Sequence, residues 1–315
     1  MLRPLSPAAA ALLLACAPSR PPLPEVRVYA TVSEQGARAL ASAARLRQVA
    51  VLVLVAGEPG GADLAWFGDP AGAVEAAGDL VAGAAPPQPE VAARWKDPAG
   101  RFAPLAARAR VLVRSPKAKL PVEPRRLRDL ADPRLAGRQA LASFGQGLGP
   151  ATAAAFSLIH GDRPVLGLLD AVARNRPRIA ASDDEVRVLV AGGAAAFGLT
   201  GSEEAAAGAA SAAALEVIYP DQQGSGCVVL PTAVALTHRG ASSEAAQALL
   251  AWMAGPEAEQ ILVARAPGYM PLRGGVPVPP GVRPAGNVRS PALDWDALAS
   301  ATARLRPRLE GWPGP

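Results

Sequence analysis

Tyr219 is the side chain whose position most directly suggests chemistry. It closes the apolar run Leu215–Tyr219 and is followed by Pro220-Asp221-Gln222. Pro220 fixes a turn and denies the strand further pairing, and strand ends in open α/β sheets face ligand crevices. The phenol is therefore expected to point inward, where its oxygen is a hard donor suited to a hard metal ion. Asp69, just after the strand-like Ala62–Phe67, is the candidate carboxylate partner. A second feature is the turn Ser143 to Thr152, in which Gly145, Gly147 and Gly149 precede a helix starting near Pro150. Glycines let a backbone approach a ligand closely, Pro suits a first helical turn, and the free N–H groups there attract anions. Ser143, Gly147 and Thr152 are its ligand-binding candidates, the alternative being a tight turn with no ligand.

Catalytic groups do not announce themselves. The sequence has no GxxxxGK[ST] phosphate loop and no GxSxG elbow. Its only histidines are His160, at a helix end where a cation is ordinary, and His238, in a loop before Arg239-Gly240. Asp183-Asp184 and Glu203-Glu204 begin helices, where the macrodipole favours negative charge. Cys16 and Cys227 form no CxxC and share no cluster with histidine, so a zinc site is not expected. On the residues alone a hydrolase stays open, although no nucleophile and base stand together.

The scaffold that must position these residues reads as α/β. The 315 residues suffice for one large domain or two lobes. Half are hydrophobic yet only 4% are aromatic, so Ala, Val and Leu must build the core. The net charge of +5 is modest, and its tightest basic cluster, Arg125, Arg126 and Arg128, is too short for a nucleic-acid footprint. From Glu25 onward strand-like and helix-like segments alternate. Val26–Ala30, Val49–Val55, Ala62–Phe67, Ala109–Arg114, Ala195–Leu199, Leu215–Tyr219 and Cys227–Leu230 read as strands, the last entering Pro231, and Arg138–Ser143 leads into the glycine-rich turn. Val49–Val55 has the continuous apolar run of a strand buried on both faces. Ser33–Leu46, Pro70–Val81, Ala151–His160, Val165–Arg174, Asp183–Val190, Glu203–Ala214, Ser243–Met253, Glu257–Arg265 and Leu293–Leu309 read as helices.

The amino terminus reads as an address. Residues 1–15 carry Arg3 and a short apolar run, far below the ~20 residues a bilayer span needs. Leu13-Leu14-Ala15-Cys16 resembles a bacterial lipobox, which implies cleavage before Cys16 and lipidation of its thiol. The Pro-rich residues 16–25 then form an extended tether.

Several phrases, in order, resemble the ferric-iron-type family of bacterial solute-binding proteins over most of Val26 to Arg273. They are Leu130 to Arg138 (LADPRLAGR), Ser143 to Thr152, Phe197 to Glu204 (FGLTGSEE), and Val217 to Gly226 (VIYPDQQGSG) with Leu230-Pro231-Thr232 after it. Pro256 to Gln260 and Pro271-Leu272-Arg273 fit the family's C-terminal part. The resemblance implies a two-lobed type 2 periplasmic-binding fold with the ligand in the cleft between lobes. Two crossing hinge strands are mapped to about Ala109–Arg114 and Cys227–Thr232. Lobe 1 is expected over 26–110 and 229–315, the latter including a C-terminal helical region, and lobe 2 over 111–228.

The family's better-known iron binders carry a His after the first strand and a Tyr pair in the second lobe. Here those places hold Thr31-Val32-Ser33 and Thr200-Gly201-Ser202. Ser33 and Thr200, together with Ser182, complete the ligand-binding candidates, and Tyr219 with Asp69 is the candidate metal pair. Ferric iron with a bound anion is the favoured ligand; an organic or phosphonate-like anion held without metal is the alternative. The resemblance further implies a binding protein that is not an enzyme and holds no resident cofactor, with an ABC permease and ATPase as partners. An exported enzyme on the same fold is the alternative, and a lipid-anchored interaction protein without a small ligand is the third reading. The expected protein is a monomer in the periplasm or cell envelope, anchored to the membrane through Cys16 and with no nucleic-acid partner.

Overall fold

The computed structural model describes residues 22–207 and 215–313. Cys16 and the targeting segment lie outside the described residues, as does the end of the helix expected over Glu203–Ala214. None of the described helices is long and apolar enough to cross a membrane.

Two sheets share one long strand. In the first, β1 (Glu25–Ala30) runs parallel to β2 (Val51–Val55) and β3 (Leu64–Phe67), and β3 lies antiparallel to β9 (Val229–Leu236). β9 in turn pairs with the first half of β4 (Ala103–Arg114). The second half of β4 belongs to the other sheet, flanked by β7 (Phe197–Gly201) and β8 (Glu216–Ile218). Beyond β7 come β5 (Gln139–Ala142) and β6 (Arg178–Ala180), both parallel. The order β2-β1-β3-β9-β4-β7-β5-β6 gives two lobes joined through β4 and β9. These are the two crossing strands the resemblance implied.

The parallel strands are followed by helices, so their carboxyl ends open toward the crevice between lobes. α1 (Glu34–Leu46) follows β1, α2 (Pro70–Glu75) follows β3, and α3 (Gly149–His160) with α4 (Asp162–Arg174) follows β5. α5 (Asp183–Ala191) follows β6, and α6 (Ser202–Ala207) follows β7. α7 (Glu244–Met253) and α8 (Pro256–Arg265) return to the first lobe, where Val26, Leu40, Trp66, Leu249 and Leu262 share one core. The largest core residue there, Trp66, has its indole N–H satisfied by Thr232 Oγ1 at 3.1 Å. The other core runs from β4 through Leu141, Phe197 and Leu199 to Leu298 and Leu305 of α9 (Trp295–Glu310).

Several elements depart from expectation. Val51–Val55 is an edge strand rather than a doubly buried one, and Leu54 is exposed. β9 continues through Pro231 to Leu236. Pro231 is tolerated because it faces Ala107, where the β4 register shifts and the Ala107 N–H turns away to the Met270 carbonyl. β6 escapes sequence reading because it is only three residues long and exposes Arg178 and Ile179. α2 ends at Glu75 and gives way to a 3-10 turn.

α9 does more than extend the first lobe. Arg306 pairs with Glu75 of α2 and Asp296 with Arg101, both first-lobe residues, whereas Arg304 pairs with Asp162 and Arg308 with Asp170 in the second lobe. Just past the helix, Trp312 donates its indole N–H to the Leu169 carbonyl and stacks edge-on against Phe144 at 5.0 Å.

Candidate cleft site

Three helices that start at the crevice are capped by residues the sequence singled out. Ser33 caps α1 and accepts the Gly36 N–H, Asp69 caps α2 and accepts the Gly72 N–H, and Ser182 caps α5 and accepts the Glu185 N–H. Such a cap contributes about 1 kcal/mol. The capping oxygens sit at the crevice but are already engaged with backbone.

Between these caps lie two arginines of β4. Arg108 and Arg110 are two residues apart on a strand, so both side chains emerge on one face. Arg108 reaches both lobes. Its Nη2 donates to the Gly68 carbonyl at 2.6 Å, and its Nη1 lies 3.3 Å from both carboxylate oxygens of Glu203. Gly68 is required there, since a Cβ on it would come within 2.5 Å of the Arg108 guanidinium and 2.9 Å of the Thr31 carbonyl. Arg110, only 3% exposed, donates Nη1 to Asp183 Oδ2 at 2.5 Å. The Nε atoms of both arginines and Asp183 Oδ1 are buried without a hydrogen-bond partner. Buried polar atoms are nearly always satisfied, so these three atoms are the patch's open hydrogen-bonding positions.

Acid surrounds this pair. Tyr269 is fully buried, its hydroxyl 3.2 Å from Ser33 Oγ and beside Glu203. Burial, and then the Glu203 charge, holds that phenol well above its ordinary pKa, so it is a neutral hydroxyl. Burial likewise raises the carboxyl of Asp69. Glu204 is pushed up to about 7, first by burial and then by the charges of Glu203 and Asp183.

The glycine-rich turn reaches the site through one residue. Gly147 has φ +55, and a Cβ on it would lie 3.8 Å from Asp183 Oδ2. Its neighbours are used structurally. Ser143 Oγ donates to the Trp312 carbonyl and accepts the Gly145 N–H, and Thr152 donates to the Leu148 carbonyl one helical turn back. Thr200 is buried on β7 and donates to the Asp183 carbonyl, which fixes the start of α5.

Tyr219 is not brought to Asp69. It follows β8, on the flank of β4 away from β7, the strand that leads into α6 with Glu203 and Glu204. Its side chain is buried, and the Arg283 guanidinium lies 5.0 Å over its ring. The phrase around it is a brace. Asp221 accepts the Leu127 N–H, Gln222 bonds both backbone groups of Arg289, and Cys227 N donates to the Arg289 carbonyl. No group of three His, Cys, Asp or Glu side chains among the described residues is arranged to hold a metal ion. Sequence reading missed Arg108, Arg110 and Tyr269; it placed Glu203-Glu204 correctly at a helix start, in the first turn of α6, but gave them no part in the site. The available clue was a pair of arginines at strand spacing inside an otherwise apolar run.

The two lobes and the strands that cross between them make a type 2 periplasmic-binding fold, and comparison with solved structures agrees. The iron- and citrate-bound IdiA (FutA) protein of Trichodesmium superposes with a TM-score of 0.75 at 21% identity, covering 91% of this chain and 99% of that one. Iron-bound HitA from Pseudomonas aeruginosa gives a TM-score of 0.78 at 18% identity over 91% and 99%. AfuA from Actinobacillus pleuropneumoniae, with fructose-6-phosphate bound, gives 0.75 at 15% identity over 90% and 97%. No curated protein matches the sequence. Residues 26–268 match the model of the bacterial extracellular solute-binding proteins, and the chain belongs to that family.

Proposed function

We propose that this protein is the capture component of an ABC importer and that it binds a small organic anion between its lobes without a metal. The observation that carries the reading is the pair of unpartnered Nε–H groups on Arg108 and Arg110, side by side on the strand that joins the lobes. Guanidinium N–H groups bond carboxylate, sulfonate and phosphonate oxygens strongly when water is excluded. Iron loses ground because the Tyr269 hydroxyl is buried beside Ser33 and no group of three His, Cys, Asp or Glu side chains among the described residues is arranged around a metal position. The solved relatives bear iron, citrate or a sugar phosphate, so the fold itself does not choose among these classes. Family membership supports a permease and ATPase as partners, with lobe closure around the ligand as the recognised event. The Leu13-Leu14-Ala15-Cys16 sequence supports a lipid anchor, and Cys16→Ser should release the protein from membranes.

The test is calorimetric titration of the mature protein with propionate, ethanesulfonate, ethylphosphonate and ferric citrate. At least one organic anion should bind saturably, and Arg108→Met with Arg110→Met should weaken it more than about 30-fold. Stoichiometric ferric binding with none of the anions bound would overturn the reading.

A further inference from the structure

The site has more acid than its arginines use. Arg108 is paired with Glu203 and Arg110 with Asp183, which leaves Glu204 over. The sheet register places Glu204 on the same side as these arginines. Gly201 lies directly opposite Arg110 across the β4–β7 ladder, so a side chain at 201 would share the Arg110 face. A Cβ built there would come within 2.3 Å of Glu204 Oε2. The Glu204 carboxylate therefore folds back over Gly201 and lies on the arginine face. It still makes no ion pair and no side-chain hydrogen bond to another of the described residues. It is partly exposed.

A simple anion at the arginine Nε atoms would meet this spare carboxylate and the unpartnered Asp183 Oδ1 at close range. Both of those are acceptors seeking a donor, just as Nε of 97%-buried Arg110 is a donor seeking an acceptor. A plain anion satisfies the arginines and is repelled by the acids. A plain cation does the reverse. A short molecule with a pole of each sign satisfies both sets.

We propose that the ligand is a small amphoteric compound. Its acidic group would lie on Nε of Arg108 and Arg110, and its protonated amine on Glu204 and Asp183 Oδ1. This rests on the anion-binding reading above and names the ligand class for that site. Glu204 being held near neutrality in the empty cleft fits the same assignment, since a bound ammonium supplies the charge it lacks.

Three matched pairs test it at pH 7.5 on the wild-type protein: propionate against β-alanine, ethanesulfonate against 2-aminoethanesulfonate, and ethylphosphonate against 2-aminoethylphosphonate. In at least one pair the amine should bind about 10- to 100-fold tighter, the value of one charge-assisted bond to a buried carboxylate. In Glu204→Gln the ratio within that pair should fall toward one. Amine-free members that bind as well as their partners would overturn the amphoteric proposal and leave the anion reading standing. Silence from all six compounds would overturn both. The wild-type comparison decides the matter even if Glu204→Gln does not fold.

Discussion

Arg110 and Asp183 share one short contact, Nη1 to Oδ2 at 2.5 Å, while Nε of the first and Oδ1 of the second are buried and unbonded. Each residue of the pair thus satisfies half of its partner and leaves half for a third group. The pair joins the crossing strand β4 to the start of α5 in the second lobe.

Removing one partner of such a pair costs more than removing both. Arg110→Met strands the Asp183 carboxylate and should lower stability by about 3–5 kcal/mol. Arg110→Met with Asp183→Leu should recover much of that loss in chemical denaturation while leaving ligand binding abolished. A double variant that binds normally would show the pair to be scaffold only.

Glu204 makes ligand binding depend on pH. Its carboxyl stands at about 7 against an ordinary 4.5, so the empty site holds it half protonated near neutrality. An ammonium ligand binds the ionised form, so affinity should be full above about pH 8, half-maximal near 7 and fall progressively below it. The folding term has the opposite sense. The fold disfavours the charged form, so this group costs nothing below about 4.5 and its penalty grows as pH rises from there toward 7. Glu204→Gln should flatten the affinity profile between pH 5.5 and 8, which titrations across that range would read directly.

Tyr219→Phe should leave ligand affinity unchanged and lower stability by less than about 1 kcal/mol, because the ring keeps its buried packing and its place under the Arg283 guanidinium. Denaturant melts and calorimetry on the same sample check both halves. A large loss of affinity would return Tyr219 to the binding site.

Trp312 ties the end of the chain to the second lobe. Trp312→Ala removes its edge-on stack with Phe144 and its bond to the Leu169 carbonyl, and should cost about 3–5 kcal/mol. The loss should appear as earlier unfolding in a thermal scan. Ser143, which donates to the Trp312 backbone carbonyl, keeps that partner in the variant.

Much of the scaffold was legible in the sequence, and the reasons are local. Ser33 before an amphipathic run marks the start of α1, and three glycines before Pro150 mark the turn into α3. The two crossing strands were legible from their apolar runs and from the resemblance. The site was less so, because its residues meet through register. Arg108 and Arg110 look like surface charges until β9 and β7 are known to flank them. Glu204 reads as a helix-start charge until Gly201 is seen opposite Arg110. Tyr219 was placed by the rule that strand ends face the crevice. That rule does not say which flank of β4 the strand joins, and β8 joins the one away from β7.

The most direct test of the account looks at the two unpartnered guanidinium groups themselves. With ¹⁵N-labelled arginine, the Nε–H signals of Arg108 and Arg110 can be assigned by Arg108→Lys and Arg110→Lys and followed by NMR as the six matched compounds are added. The account predicts that both signals move together, saturably, with the compound that binds, and that Nε–H of exposed arginines such as Arg38 stays still. Binding of any of these compounds with the Arg108 and Arg110 signals unmoved would contradict it.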